Sequence, residues 1–474
     1  MIFSTYKFIF LFLPITFCGY FLLGKLKQRP LMKIWLVCCS LFFYAQGDPS
    51  FFPTFVLSIF FNYIFGSAIS STDESHKAAR KALVTIGVLA NVALLGYYKY
   101  TDFFLENVNA ISGANFALKH IALPIGISFF TFQLIAYLID SYRGLTRSYN
   151  IIDYLLFITF FPQLIVGPIV HHSQAVPQFE DPENGKMNAR NIAVGLLVFG
   201  IGCAKKILLA DPLTTEAQTF WAALANVPSF WDAWYHAIEY TISYYFDLSG
   251  YADMAIGLGM MFNIIIPENF NSPYKARNFQ DYWRRWHMTL SNFLSEYIFR
   301  SWYNKNRKLH GYYAATMVTF FVSGFWHGAG WTFVVWGLIN GLLVCCASWM
   351  KRKKLSFPAF IAYPLTAIGV VACRVLFVSK GFTDALLVLR GLVNFGTISA
   401  FSASSFELAS VITLALGIAI CWFMPNTRTI RTKFEALLDR GSMKAVPIMA
   451  AFTVLFMISI MYMNKVAMFL YFQF

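Results

Sequence analysis

The chain has 474 residues, of which 58% are hydrophobic and only 13% are charged. Soluble domains carry about 25% charged residues, so this composition excludes a soluble globular protein and indicates a polytopic membrane protein. The net charge of +14 comes from 37 basic and 23 acidic residues. The basic residues are scattered through short loops, which favours the positive-inside pattern of membrane proteins over nucleic-acid binding.

Apolar runs follow one another along the whole chain, near 3–24, 31–46, 51–70, 82–103, 118–140, 151–170, 188–210, 230–262, 311–349, 357–378, 406–424 and 445–464. Several are shorter than the roughly 20 residues that a span needs, so some are expected to be re-entrant or tilted. The run 151–170 contains Pro162 and Pro168, which break helices. We predict an all-α protein with about 11–13 membrane segments and one membrane domain over residues 1–474.

The loops between these runs predict an orientation in the membrane. Basic residues cluster at Lys25–Lys33, Lys77–Lys81 and Lys351–Lys354, which we expect on the cytosolic side. The segment Asp211–Pro228 is then expected outside the cytosol. The eight cysteines all lie in apolar segments without a Cys-x-x-Cys pair, so the sequence predicts neither disulfides nor a metal site.

Residues 263–310 are too polar to span a membrane and too aromatic for an ordinary loop. Within 279–299, aromatic and aliphatic residues recur at helical spacing: Tyr282, Trp286, Leu290, Phe293 and Tyr297. This pattern predicts one amphipathic helix at the cytosolic interface. Two interpretations stay open. The helix could be a basic interfacial anchor, or it could form the mouth of a site, with arginines for an anionic cofactor, aromatic walls and His287 at its polar end.

His327 lies in the apolar segment 311–349. Only a few polar residues accompany it, among them Ser323. Gly324, Gly328 and Gly330 would allow a helix or a ligand to approach closely. An interhelical hydrogen bond is one explanation for a histidine here. A functional role is favoured, because a membrane-buried imidazole is costly and can accept a proton from a hydroxyl.

Other polar residues in apolar segments have simpler explanations. Asp247 and Asp253 are expected to be structural, either bonding between helices or pairing with an arginine. Lys205 and Lys206 should extend their ammonium groups to the interface. The sequence does not indicate a partner for Arg374.

Several motifs in one order resemble those of the bacterial membrane-bound O-acyltransferase (MBOAT) family. They cover nearly the whole chain and are highly specific together. These motifs are Leu123-Pro-Ile-Gly-Ile-Ser-Phe-Phe-Thr-Phe-Gln133, Phe161-Pro-Gln-Leu-Ile-Val-Gly-Pro168, Tyr245-Phe-Asp-Leu-Ser-Gly-Tyr-Ala-Asp-Met-Ala255, Pro267-Glu-Asn-Phe270, Trp283-Arg-Arg-Trp-His287 and Phe325-Trp-His-Gly328. The nearest resemblance is to the branch with the alginate O-acetyltransferase membrane subunit, its peptidoglycan- and cellulose-acetylating relatives, and the teichoic-acid D-alanyl exporter.

The resemblance implies a helical ring around a central tunnel, with short interfacial and re-entrant helices. It identifies His327 as the catalytic histidine and His287 as the second site histidine. Further residues expected to bind the donor or line the tunnel are Trp283, Arg284, Arg285, Trp286, Ser323 and Trp326. Residues 263–310 would form cytosolic-face interfacial helices, and residues 311–349 the catalytic histidine segment.

The implied reaction is O-acetyl transfer at a bacterial inner membrane. Acetyl-CoA would be the cytosolic donor substrate, with no permanently bound cofactor. The acceptor side would be an extracytoplasmic polysaccharide of the alginate, peptidoglycan or cellulose type, reached through a secreted SGNH-like partner protein. Membrane lipid surrounds such a protein, and no nucleic acid is expected. The alternatives are a membrane transporter, which would need coupling carboxylates and repeats, and a non-catalytic scaffold of an exopolysaccharide complex.

Overall fold

The computed structural model describes residues 1–47, 49–146, 149–402 and 406–463. Every regular element within these ranges is a helix, which confirms the predicted all-α class. The chain divides into two compact units, Met1–Phe199 with Ala252–Pro267 and Gly200–Tyr251 with Glu268–Phe474. The prediction of a single membrane domain stays a prediction.

Six helical stretches of the described chain are long and apolar enough to cross a membrane: Phe8–Lys25, Pro49–Ser71, Lys77–Ser112, Ala189–Ala223, Trp331–Arg352 and Ala359–Val378. A seventh candidate is the pair Leu408–Phe423 and Thr427–Asp439, which is bent by 63°. Two apolar helices, Ile127–Tyr142 and Ala445–Met461, are shorter. The predicted total of about 11–13 membrane segments therefore has to include helices below the length of a full span.

The first unit contains mostly helices of 9 to 20 residues. They are Leu13–Lys25, Arg29–Ala45, Phe52–Ser71, Lys77–Leu95, Thr101–Ser112, Ile127–Tyr142, Ile151–Thr159, Phe161–Leu164 and His172–Glu180. The predicted break in 151–170 occurs at Phe160, whose ψ of 107° is not helical, directly before the pair Phe161-Pro162. Nearly all of this broken segment is buried, as expected for non-helical backbone at membrane depth.

The second unit contains the segments predicted to carry the chemistry. Its helices are Asp211–Ala223, Phe279–Trp283, Met288–Leu294, Arg300–Tyr303, Leu309–His327, Trp331–Arg352, Ala359–Val378, Phe382–Leu392, Leu408–Phe423, Thr427–Asp439 and Ala445–Met461. Two further helices, Ala189–Ala204 and Phe230–Met261, contain the boundaries between the units.

Lys206 lies in a widened π-helical turn, Lys205–Ala210, which directly precedes Asp211 and Pro212. Proline lacks a backbone N–H and crowds the carbonyl four residues earlier, which accounts for the widening. The Lys206 ammonium lies 2.6 Å from a carboxylate oxygen of Asp211 and 2.6 Å from one of Asp247. All three side chains are buried, so the prediction that Lys206 reaches the interface is wrong. Asp247 is structural as expected, but its partner is a lysine rather than an arginine.

Candidate active site

His327 is the last residue of the helix Leu309–His327 and is only 5% exposed. Its imidazole is surrounded by aromatic rings. The centroids of Trp326, Trp336 and Phe377 lie 4.8, 5.2 and 5.3 Å from its own. The last two belong to the helices Trp331–Arg352 and Ala359–Val378, so three helices enclose the side chain in an apolar shell. Such an environment excludes water from reactions at this imidazole.

Glycines bring the first two of these helices together next to His327. A Cβ atom on Gly324 would lie 2.4 Å from the backbone oxygen of Phe333, and one on Gly337 would lie 2.4 Å from that of Phe320. A Cβ on Gly328 would meet the Phe333 ring at 2.2 Å. The predicted close approach at Gly324 and Gly328 is confirmed. At Gly330 it is not, because the nearest atom would be 3.5 Å away, an ordinary contact.

The region 279–299 is not the single amphipathic helix that the spacing predicted. It forms the helices Phe279–Trp283 and Met288–Leu294 and the π-helical turn Ser295–Phe299, with a break before His287. Backbone hydrogen bonds explain the break: Asn271 N–H donates to the Arg285 carbonyl, and Met288 N–H donates to the Asn269 carbonyl. The five residues at helical spacing are all buried, so they pack inside the protein.

His287 occupies the break with a φ of 44°, a left-handed conformation that is uncommon for non-glycine residues. Its side chain is 3% exposed, and its Nδ1 lies 3.2 Å from the Asn269 side-chain oxygen. That oxygen also accepts hydrogen bonds from the backbone and hydroxyl of Thr289. Nδ1 is therefore the donor, and Nε2 carries the lone pair. Burial lowers the pKa of His287 to about 3, which keeps the ring neutral at pH 7.

Arg374, whose partner the sequence did not indicate, is 5% exposed and surrounded by π systems. Its guanidinium carbon lies 4.2 Å from the ring centroid of Tyr244, 4.9 Å from that of Phe377 and 5.1 Å from that of Trp286. These distances are within the range of cation–π interactions. No described carboxylate forms an ion pair with Arg374.

This arginine connects the two histidine regions. Trp286 directly precedes His287 in the chain, and Phe377 contacts the His327 ring at 5.3 Å. The Arg374 guanidinium lies over both Trp286 and Phe377. The structure thus joins the Trp283–His287 motif, Arg374 and the His327 helix through consecutive ring contacts.

A cavity of about 280 Å³ opens beside this cluster. Trp283, Arg284 and Ser323 line it; Arg284 is exposed, whereas Ser323 is 3% exposed and lies one helical turn before His327. Arg285 does not line it. Its guanidinium is held 2.8 Å from an oxygen of Asp281. The two neighbouring arginines therefore have different surroundings.

The remaining predicted residues lie around the same cluster or away from it. Trp283 donates its indole N–H to Asn340 at 3.3 Å and contacts Trp336 at 5.7 Å. Trp326 packs on His327. Asp253 belongs to the first unit, while Asp247 belongs to the second.

Sequence reasoning gave no role to two residues of this site, Asn269 and Tyr244. Asn269 lies in the motif Pro267-Glu-Asn-Phe270, whose presence was noted, but the hydrogen bond to His287 depends on the break in the helix. Tyr244 lies on the helix Phe230–Met261, far in sequence from Arg374. Only a buried, apparently unpaired arginine signalled that a π cage was needed.

Comparison with known proteins decides the family. The model of the membrane-bound O-acyltransferase family matches residues 38–377. The chain belongs to the membrane-bound O-acyltransferase family. It is a multi-pass membrane protein and an O-acyltransferase, as predicted. A transporter and a non-catalytic scaffold are not favoured.

Several characterised MBOAT proteins are similar over most of this chain. The peptidoglycan O-acetyltransferase of Helicobacter pylori is 43% identical over 429 residues, covering 84% of this chain and 81% of that protein. A probable alginate O-acetylase of Pseudomonas aeruginosa is 37% identical over 401 residues, covering 83% and 72%. A teichoic acid D-alanyltransferase of Bacillus subtilis is 26% identical over 266 residues, covering 54% and 67%.

Proposed function

We propose that this MBOAT protein transfers acetyl groups from cytosolic acetyl-CoA toward an extracytoplasmic polysaccharide, with His327 as the general base. The acceptor chemistry would be a polymer hydroxyl of the peptidoglycan, alginate or cellulose type. The names of the two relatives with 43% and 37% identity support an acetyl group and a polymer of this kind. A bacterial inner membrane is the proposed location, because the donor and the polymer lie on opposite sides of it.

The cavity beside His327 carries this proposal. It extends from the exposed Arg284 to the buried Ser323, one turn before His327. A guanidinium at an open end suits the phosphates of CoA, while the apolar remainder suits the uncharged arm that carries the thioester. The thioester carbonyl would then reach the aromatic shell of His327. The ring and tunnel implied by the family would extend this path to the other face.

The chemical step needs one base and no permanent cofactor. His327 accepts the proton of the acceptor hydroxyl while the oxygen attacks the thioester carbonyl, forming the C–O bond. The C–S bond then breaks, and the imidazolium returns the proton to the CoA thiolate. His287, neutral and oriented by Asn269, would position the donor through a hydrogen bond from or to its ring. Positioned proton transfer contributes about 10²–10⁴ in rate.

A secreted SGNH-like protein is proposed to carry the acetyl group from this protein to the polymer. The two described units contain no large extramembrane portion that could hold a polysaccharide, since their residues are dominated by apolar helices. Residues 263–310 would face the cytosol and receive the donor, and residues 311–349 would hold the catalytic histidine.

The proposal is tested with purified protein in liposomes and acetyl-CoA labelled in its acetyl group. Label should leave CoA only in the presence of a hydroxyl acceptor or the partner protein, and free CoA thiol should appear in equal amount. The same vesicles with labelled D-alanyl or longer acyl donors provide the control. Equal turnover of those donors, or none with acetyl-CoA, would contradict the proposed donor.

A further inference from the structure

The second unit contains a cluster of ionisable side chains that the transfer reaction does not use. Glu216 lies on the helix Asp211–Ala223, and His236 and Glu239 lie one turn apart on the helix Phe230–Met261. One ligand atom from each of the three lies within 4.8 Å of the others. Because Glu216 and His236 are 20 residues apart, only the fold brings them together, and the sequence predicted no metal here.

Glu239 is the most constrained member of this cluster. Its side chain is fully buried, and its Oε2 lies 2.9 Å from Nδ1 of His236. Its other oxygen, Oε1, has no hydrogen-bond partner among the described residues. Within the same part of the chain, no lysine or arginine forms an ion pair with Glu216 or Glu239. A buried carboxylate beside a second carboxylate is costly unless a cation or a proton compensates it.

We propose that Glu216, His236 and Glu239 bind one first-row divalent metal ion, such as Zn²⁺ or Mn²⁺. Two carboxylates supply the negative charge that a divalent ion needs, and the orphaned Glu239 oxygen supplies an unused ligand atom. The imidazole favours these metals over Mg²⁺ and Ca²⁺, which prefer oxygen ligands alone. The Phe220 ring stacks on His236 with centroids 4.1 Å apart and fixes the orientation of the imidazole.

The bound ion would fasten two helices that otherwise meet through apolar packing. Phe220 and Trp221 of the helix Asp211–Ala223 pack against Ala233 and Ala237 of the helix Phe230–Met261. The latter helix carries Tyr244, five residues beyond Glu239, and this tyrosine holds Arg374. The metal would thus be structural, holding the helix that supplies one wall of the Arg374 cage. The site does not depend on the identity of the acyl donor.

Metal content and thermal stability of the full-length protein in detergent test this site. The protein is stripped with a chelator and titrated with Zn²⁺ or Mn²⁺, and the bound metal is counted by mass spectrometry. The ligand variants are Glu239→Gln, His236→Gln and Glu216→Gln. Asp232→Asn is the matched control, because Asp232 lies on the same helix but bonds to Ser229 at 2.6 Å. His172→Gln tests the other cluster of potential ligands, Asp140, His171 and His172.

The protein and Asp232→Asn should bind one ion per chain and lose thermal stability when stripped. The three ligand variants should bind it at least about tenfold more weakly. Glu239→Gln should melt at the same temperature with and without chelator, and no lower than the stripped protein, because removing a buried like charge cannot destabilise it. Full metal binding by Glu239→Gln, loss only in His172→Gln, or no binding of either ion by the unmodified protein would each overturn the proposal.

Discussion

The guanidinium carbon of Arg374 lies 4.2 Å from the centroid of the Tyr244 ring. The same guanidinium lies over Trp286 and over Phe377, which contacts His327. A buried arginine held by π faces keeps its charge without a carboxylate to neutralise it. That positive charge therefore remains effective close to the place where the proposed reaction develops an oxyanion.

Replacing this charge should slow the reaction. We expect Arg374→Met to lower the rate by at least about a hundredfold, and Arg374→Lys to fall between it and the unmodified protein, because loss of one preorganised donor costs about 10²–10³. Acetyl transfer and yield of folded protein are both measured. The matched control is Arg277→Met, since Arg277 lies over Tyr363 at 5.5 Å on the surface. Equal rates in Arg374→Met and Arg277→Met would show that the caged charge plays no part.

His287 should be replaceable in part by asparagine but not by alanine. Asparagine tolerates the left-handed backbone at φ 44° and can still donate to the Asn269 oxygen, whereas alanine does neither. His287→Gly separates the two effects, because glycine tolerates the backbone but supplies no side chain. Rates of acetyl transfer should follow His287→Asn, then His287→Gly, then His287→Ala. Equal losses in the asparagine and alanine variants would refute the positioning role.

The two neighbouring arginines should contribute unequally to donor binding. Arg284 is exposed and lines the cavity, whereas Arg285 is held by Asp281 at 2.8 Å. Arg284→Ala should therefore weaken binding of CoA to the purified protein about tenfold, as expected for a lost charge-assisted contact. Arg285→Ala should weaken it less, and Lys351→Ala should leave it unchanged. A Kd that stays constant in Arg284→Ala would remove the cavity as the donor site.

The buried lysine should be essential for stability. Lys206→Met leaves Asp211 and Asp247 buried without their shared cation, which costs about 3–5 kcal/mol for a broken buried pair. Lys205→Met is the control, because the neighbouring ammonium donates to the Thr427 hydroxyl at 2.9 Å. Thermal unfolding in detergent should show a large drop for the first variant and a small one for the second. Equal midpoints would mean that Asp211 and Asp247 are neutralised by other means.

The sequence alone was sufficient for the fold class, the broken segment 151–170 and the approach of helices at Gly324. Each of these depends on local properties: apolar runs, prolines and small residues. The single helix predicted for 279–299 was wrong because hydrogen bonds from Asn271 and to Asn269 compete with helical ones. Helical spacing alone cannot reveal such partners, since they lie at least eight residues away.

The predicted site was recovered in part for the same reason. His327, Trp283 and Ser323 come together because two adjacent helices carry or contact them. The cage around Arg374 needs residues from Tyr244 to Phe377, and the pairing of Lys206 needs Asp247. Contacts over such separations depend on tertiary packing, which one sequence does not encode in any local pattern.

The role of His327 is tested most directly by polymer acetylation in cells that express only the His327→Ala protein. His310→Ala is the control, because His310 is an exposed histidine near the start of the same helix. Both variants should reach the membrane in normal amounts. The account predicts that acetyl ester on the extracytoplasmic polymer falls to background with His327→Ala and is unchanged with His310→Ala. Near-normal acetylation with His327→Ala would contradict the assignment of this imidazole as the base.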